Sequence, residues 1–205
     1  EIRNNGKRVF LRGNIDCCVY PETGHPPMDE ASWEKICAIT KDYGMNHIRF
    51  HSWCPPEAAF KAADKAGLYL QIEGPVWMDN WNGPVGSKPD HYTYLVEEAK
   101  RIINEYAYHP SFCIFSNGNE LNGDFHLLEH IIREIKKIDP AMITTLSTNW
   151  DREVRDGDDV YIAQTVDGLG ARGQYFLDAM ADGTGFSYDD AVAARNIPVI
   201  SHEVG

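Results

Sequence analysis

Apolar and polar residues along this chain fall into two alternating periods. Segments near 9–15, 47–51, 69–73, 112–119, 143–148, 159–164 and 198–203 are alternating or continuously apolar over a few residues, the signature of strands. Between them the apolar positions recur at helical spacing. Asp29 to Tyr43 carries Trp33, Ile36, Cys37 and Thr40 on one face, with Gly44 as its stop. Pro56 suits the first position of a second helix, where a missing N–H costs nothing, and Gly67 can close that helix. Residues 91–107 align Leu95, Ala99, Ile102, Ile103 and Tyr106. Residues 125–139 align Leu128, Ile131, Ile132, Ile135 and Ile138 before Pro140 ends the run. Strict alternation of strand and helix implies a parallel sheet, and seven such strands favour a closed α/β structure, a (β/α)8 TIM barrel, over an open sheet.

A barrel of this kind takes about 250 residues. This chain has 205 and ends two residues after Glu203. The expectation is therefore one domain over residues 1–205, a barrel fragment truncated after its seventh strand. Residues 1–8 read as a short ribbon with an Asn-Gly turn, a join to something upstream. Two connections, 74–90 and 166–186, are long enough to read as functional loops.

Composition narrows the partners. With 43% hydrophobic residues the chain can build one sizeable core, and its formal charge of −12 disfavours nucleic acid and anionic membrane surfaces, which would repel it. No apolar run approaches the ~20 residues of a membrane span. Neutral substrates fit better. Five cysteines, two of them adjacent as Cys17-Cys18, have neither metal-site spacing nor an even disulfide framework, and read mostly as buried thiols. The chain starts with Glu, which is compatible with removal of a leader, so a periplasmic or secreted location is favoured over a cytoplasmic one.

Strand side chains point to alternate faces, so His47, Arg49 and His51 oppose Ile48 and Phe50. Tyr69, Gln71 and Glu73 likewise oppose Leu68, Leu70 and Ile72, and Arg12, Asn14 and Asp16 share a face. In a barrel these polar faces point inward, toward the rim at the strand C-termini where such folds place their chemistry. Two further carboxylates stand at strand ends, Glu120 in Ser116-Asn117-Gly118-Asn119-Glu120 and Glu203 in Pro198-Val199-Ile200-Ser201-His202-Glu203. A pocket of Asp16, Arg49, His51, Glu73, Asn119, Glu120 and Glu203 suits a ligand rich in hydroxyls. Two carboxyl groups about 5–5.5 Å apart can cleave a glycosidic bond with retention, one donating a proton and the other attacking the anomeric carbon. Glu73 has a second reading as the ion-pair partner of Arg49, and Asp16 as the brace of a loop. Trp53, Trp77, Trp81 and Trp150 read as packing, or, for the last three, as platforms for a sugar ring.

Several stretches also resemble a known family. Asn-Gly-Lys-Arg-Val-Phe-Leu-Arg-Gly (5–13), Asn46-His47-Ile48-Arg49, Asp64 to Glu73, His109-Pro110-Ser111, Gly118-Asn119-Glu120 and Pro198 to Glu203 are similar, in the same order, to the catalytic barrel of glycoside hydrolase family 2. That family holds β-galactosidases, β-mannosidases and β-glucuronidases. The resemblance implies a retaining glycosidase acting at a non-reducing end, without cofactor or metal, on an oligosaccharide or glycoside. By the same carry-over Glu120 is the acid/base, Glu203 the nucleophile, and Asn119 the partner of the sugar 2-hydroxyl; since two carboxylates that close cannot both ionise freely, Glu120 is expected protonated and Glu203 ionised at rest. It also implies β-sandwich domains upstream.

The sequence departs from that pattern in three respects. Related barrels often carry a tyrosine at the end of strand six that contacts the nucleophile, and here the segment reads Tyr161-Ile162-Ala163-Gln164-Thr165. Arg49-Phe50-His51-Ser52 places the histidine before the serine, where many relatives have the reverse. The Asn-x-Lys signature associated with glucuronidases is not found, which makes a uronic acid a poorer candidate. Three rival readings compete. Gly168-Leu169-Gly170-Ala171-Arg172-Gly173 fits a dinucleotide-binding pattern, but the helix that should follow is interrupted by Asp182-Gly183-Thr184-Gly185. His47 and His51 face the same way but lie about 13 Å apart along a strand, too far to share a metal ion. A barrel that binds carbohydrate without cleaving it, or a fragment inactive without its last strand, is the third.

Overall fold

Asn5 and Gly6 take positive φ angles of 50° and 77°, so the chain reverses tightly between β1 (Arg3–Asn4) and β2 (Lys7–Arg8), an antiparallel ribbon. The computed structural model describes residues 1–77, 83–149, 151–166, 169–170 and 189–203. Trp81, Trp150 and most of the glycine motif at 168–173 lie outside the described residues, as do large parts of both long loops. After the ribbon come β3 (Gly13–Asp16), α1 (Glu30–Asp42), β4 (His47–Phe50), α2 (Glu57–Ala66), β5 (Tyr69–Glu73), α3 (Pro89–Tyr106), β6 (Phe112–Ser116), α4 (Phe125–Ile138), β7 (Ile143–Thr145), β8 (Tyr161–Ala163), β9 (Thr165–Val166), β10 (Leu169–Gly170), α5 (Asp189–Ala193) and β11 (Val199–Ser201).

Helix boundaries follow local chemistry. Asp29 caps α1 by accepting the Ser32 N–H at 2.8 Å, and Asp124 caps α4 by accepting that of His126. Pro56 stands one position earlier than expected, at the cap of α2 itself, and Gly67 closes that helix in the left-handed region at φ 67°. Strands β3, β4, β5, β6 and β7 form one parallel sheet in that order, and β8 pairs in parallel with β11. The two sheets join beyond β7, where Asn149 donates to Ile162 and accepts from the Gln164 N–H. The result is part of a TIM barrel: seven parallel strands in an arc whose ends, β3 and β11, are not paired to each other and border a cavity of about 360 Å³.

Three expectations need correction. The first barrel strand starts at Gly13 rather than residue 9, because the Asn46 side chain accepts from the Arg12 N–H and donates to the Phe10 carbonyl where ladder bonds would run. The strand expected at 112–119 ends at Ser116, whose hydroxyl donates to the Gly118 carbonyl and turns the chain. Alternation also lapses: among the described residues no helix links β7 to β8. That crossing is organised instead by Asp158, whose carboxylate takes a two-pronged contact from Arg152 and the N–H groups of Leu146 and Arg155. Of the cysteines, Cys37 is buried, Cys54 and Cys113 are half-buried, and Cys17 and Cys18 are exposed on the loop after β3.

The core lies between sheet and helices. Ile48, Phe50, Leu70 and Ile72 on the strands meet Trp33 and Cys37 of α1, Phe60 and Ala63 of α2, Ile102 and Ile103 of α3, and Leu128, Ile131 and Ile135 of α4. The opposite strand face carries a second cluster of Ile114, Val160 and Ile162, with Leu11, Ile143 and Ile200 against it. No described helix is long and apolar enough to cross a membrane.

Above the named strands the backbone makes a second tier of contacts. Asn119 N–H donates to Val76, Thr148 N–H to Gly118, and Glu120 N–H to Thr148 at 2.6 Å. Two glycines permit these approaches, since a Cβ on Gly74 would lie 2.3 Å from the Asn117 carbonyl oxygen and one on Gly118 2.3 Å from that of Val76. Gly118→Ala is therefore expected to cost about 1–3 kcal/mol, as overpacking does. Urea unfolding would measure the cost, and an unchanged midpoint would show that the tier can part without penalty.

Candidate active site

Ile48 and Phe50 pin β4 to the helices, which forces the intervening Arg49 into the barrel. Its guanidinium is 6% exposed and fully engaged. Nε donates to Glu73 Oε1 at 2.6 Å and Nη2 to Glu73 Oε2 at 3.3 Å; Nη1 reaches Glu203 Oε1 at 3.0 Å and His202 Nδ1 at 3.1 Å. Nη2 also donates to Asn119 Oδ1 and to Thr148 Oγ1. Glu73, whose side chain is inaccessible to solvent, accepts further bonds from Gln71, the Thr148 hydroxyl and the Ser52 N–H. Burial opposes charge on Arg49, but the Glu73 and Glu203 carboxylates outweigh it and hold the guanidinium above its ordinary value.

Both candidate glutamates occupy left-handed backbone, Glu120 at φ 49° and Glu203 at φ 55°, as does Ser52 at φ 60°. Such conformations cost non-glycine residues on the order of 1–3 kcal/mol and concentrate at functional sites. The two carboxylates meet at Gln164, whose amide nitrogen donates to Glu120 Oε1 at 2.7 Å and Glu203 Oε2 at 3.3 Å. Because the two bonds share one nitrogen, the oxygens can be no farther apart than both lengths laid end to end, about 6 Å. That bound is compatible with the ~5–5.5 Å spacing of a retaining pair.

Of the residues expected in the pocket, Arg49, Glu73, Asn119, Glu120 and Glu203 come together, with His51 and Trp77 at the edge. His51 Nε2 lies 3.9 Å from Glu203 Oε1, and its ring meets Trp77 edge-on at 5.2 Å. Trp77 is 65% exposed and donates Nε1–H to Glu120 Oε2 at 3.2 Å. Glu73 takes its second reading, as the partner of Arg49. Asp16 does too: one oxygen accepts the Cys18 N–H and the other the Tyr20 hydroxyl, which braces the loop after β3. Trp53 packs with Trp33 and Phe50. His47 shares the face of Arg49 but lies deeper, 5% exposed against Gly13.

Gln164, Thr148 and His202 belong to the site and escaped the sequence reading. Strand parity could have found the first, since Ile162 faces inward and Gln164 follows two residues on. His202 is buried, its Nε2 2.9 Å from the Asn149 carbonyl oxygen, and burial together with the charge of Arg49 keeps it neutral to lower pH than a free histidine.

Two outcomes follow. Arg49→Met strands the Glu73 carboxylate in the interior and is expected to cost about 3–5 kcal/mol in urea unfolding; a loss under 1 kcal/mol would show that Glu73 is held by its neutral donors. Burial, reinforced by Arg49, pushes His47 down to about 4. An unfolded chain binds that proton from about pH 6.5 downward, so the stabilisation is complete above that pH and is lost as pH falls toward 4, by about 2 kcal/mol at pH 5. His202 acts in the same direction. His47→Gln should flatten the slope of stability between pH 6.5 and 5, and an unaltered slope would contradict this account.

Residues 2–170 match the family model described as "Glycosyl hydrolases family 2, TIM barrel domain", a span that includes Glu120 and stops short of Glu203. A Formosa agariphila protein named, provisionally, as a β-glucuronidase is 33% identical over 117 residues, covering 57% of this chain and 14% of that protein. Beta-galactosidase 2 of Enterobacter cloacae is 27% identical over 147 residues, 68% of this chain and 14% of that protein. The chain thus spans about a seventh of the length of these relatives. A crystal structure of Parabacteroides merdae β-glucuronidase superposes with a TM-score of 0.69 at 20% identity, covering 96% of this chain and 25% of that one, which speaks to the fold. The family match over most of the length places this chain in glycoside hydrolase family 2, as part of its TIM-barrel domain.

Proposed function

We propose that this chain carries the catalytic pair of a retaining β-glycosidase that releases a sugar from the non-reducing end of a glycoside. The observation that carries the reading is the meeting of Glu120 and Glu203 on one amide nitrogen, each on left-handed backbone at the barrel rim. Glu120 is the acid/base. It gives its proton to the glycosidic oxygen as the bond to the anomeric carbon breaks, while a Glu203 oxygen bonds that carbon to form a glycosyl ester. Water, losing its proton to Glu120, then attacks the same carbon and frees Glu203. The assignment of the nucleophile is supported by Arg49, which reaches Glu203: a guanidinium beside a carboxylate favours its ionised form. Asn119 has its oxygen fixed by Arg49, which sets the amide's orientation so that its NH2 end can donate to the sugar 2-hydroxyl. Exposed Trp77 offers a face for the ring to stack on.

Relatives of this chain bear the names of β-glucuronidases and β-galactosidases. The commitment of Arg49 to Glu73 and Glu203 favours a neutral pyranoside over a uronide for this site. A panel of aryl β-glycosides offered to the full-length protein tests both statements. The expected result is turnover of neutral members ahead of the glucuronide, with kcat/KM reduced on the order of 10³-fold or more by Glu203→Gln. Binding without turnover, or turnover that survives Glu203→Gln, would refute the catalytic reading.

A further inference from the structure

Gln164 stands at the end of β8 with its backbone N–H held by the Asn149 carbonyl at 2.8 Å, so the root of the side chain is fixed by the barrel ladder. Its position invites a role beyond packing. A primary amide nitrogen carries two hydrogens on divergent bonds and can donate to two acceptors at once, which a single hydroxyl cannot. The bonds at 2.7 Å to Glu120 and 3.3 Å to Glu203 use that capacity, and they link carboxylates on two different strands of the rim.

We propose that Gln164 is a positioning residue, a charge-free double donor that clamps Glu120 and Glu203 at their working separation. The inference rests on the assignment of those two glutamates as acid/base and nucleophile. An amide side chain does not titrate in the working range, so the clamp offers the same two donors whether Glu120 holds its proton or has given it away. A lysine there would neutralise the pair, and an acid would add a third negative charge. Glutamine ties the carboxylates together while leaving their charge states free to alternate.

Hydrogen bonds to a carboxylate favour its ionised form, so the clamp also acts on the pH range of activity. Among the described residues the other charged or titratable groups around the pair are Arg49 and His51 from the end of β4, Glu73 from β5, His202 beside Glu203, and Cys17 past β3. A change at position 164 leaves each of them in the sequence, and so isolates the amide.

The test is the pH dependence of kcat/KM for an aryl β-glycoside, measured on the full-length protein with Gln164→Met, which keeps the length and loses both donors, and Gln164→Glu, which exchanges one nitrogen for oxygen. Gln164→Met is expected to move both limbs of the profile upward, on the order of one pH unit, and to lower kcat on the order of ten- to a hundredfold with KM nearly unchanged. Gln164→Glu should move them farther in the same direction. Limbs that respond to Glu120→Gln and Glu203→Gln yet stay in place in both Gln164 variants, with amplitude alone reduced, would overturn the clamp and leave the catalytic pair standing. Limbs that ignore both glutamate variants would overturn the assignment beneath it, and the clamp with it.

Discussion

The buried guanidinium of Arg49 is the constraint on which the rest of this structure depends. It enters from β4 and bonds Glu73 at the end of β5, Asn119 beyond β6, Thr148 beyond β7, and both His202 and Glu203 beyond β11. Burying an ion costs several kcal/mol, and the cost is offset only where partners are close and well aligned. Here two carboxylates and several neutral acceptors surround one rigid fork, a shape that arginine supplies and lysine does not. Segments more than 150 residues apart in sequence are thereby held around a single charge. The arc of strands and the site at its rim are coupled: whatever disorders the guanidinium disorders both.

Around that charge the backbone divides into a relaxed base and a strained rim. Strands β4 to β7 pair in simple parallel register with one irregularity, between Leu70 and Gln71, and side chains alternate as a pleat requires. One tier higher the chain takes left-handed turns at Ser52, Glu120 and Glu203, and squeezes past itself at Gly74 and Gly118. These conformations persist because neighbouring contacts over-determine them. Ser52 N–H is taken by Glu73, and Glu120 N–H by Thr148. The strain therefore sits where Arg49 and its partners are densest, and each strained residue presents its side chain at an angle that a regular strand would not allow.

Much of the fold was legible because its determinants are local. The periodicity of α1 and α4, the closing Gly67 and the Asn5-Gly6 turn are each encoded within a few residues, and each is where the pattern puts it. The start of β3 was not legible, because the bonds that delay it come from Asn46, more than thirty residues away. Nor was the helix-free crossing to β8, where Asp158 reaches back to the Leu146 N–H just past β7 while Arg152 grips the same carboxylate. In the site the same division holds. Arg49, Glu120 and Glu203 stand out by type and strand position, whereas Gln164 is an ordinary polar residue until two carboxylates from separate strands converge on it. Asp16 shows the converse, a carboxylate with the right parity whose two oxygens are claimed by the adjacent loop.

Charge balance bears on the neutral donors that the described residues bring to this rim. Among the described residues Glu73, Glu120 and Glu203 share one neighbourhood with Arg49, which is divided between Glu73 and Glu203. In the proposed double displacement a second cation between Glu120 and Glu203 would bind both carboxylates as ions and oppose the proton exchange on Glu120. No donor at all would leave like charges to push the strands' ends apart. Amide and indole N–H groups resolve the conflict, since Gln164 and Trp77 supply directed hydrogen bonds without fixing a charge state. The same reasoning bears on the ligand. On the proposed reading a sugar whose hydroxyls both donate and accept can join such a network, whereas an additional anion would face the carboxylates of Glu73, Glu120 and Glu203 while Arg49 is already shared.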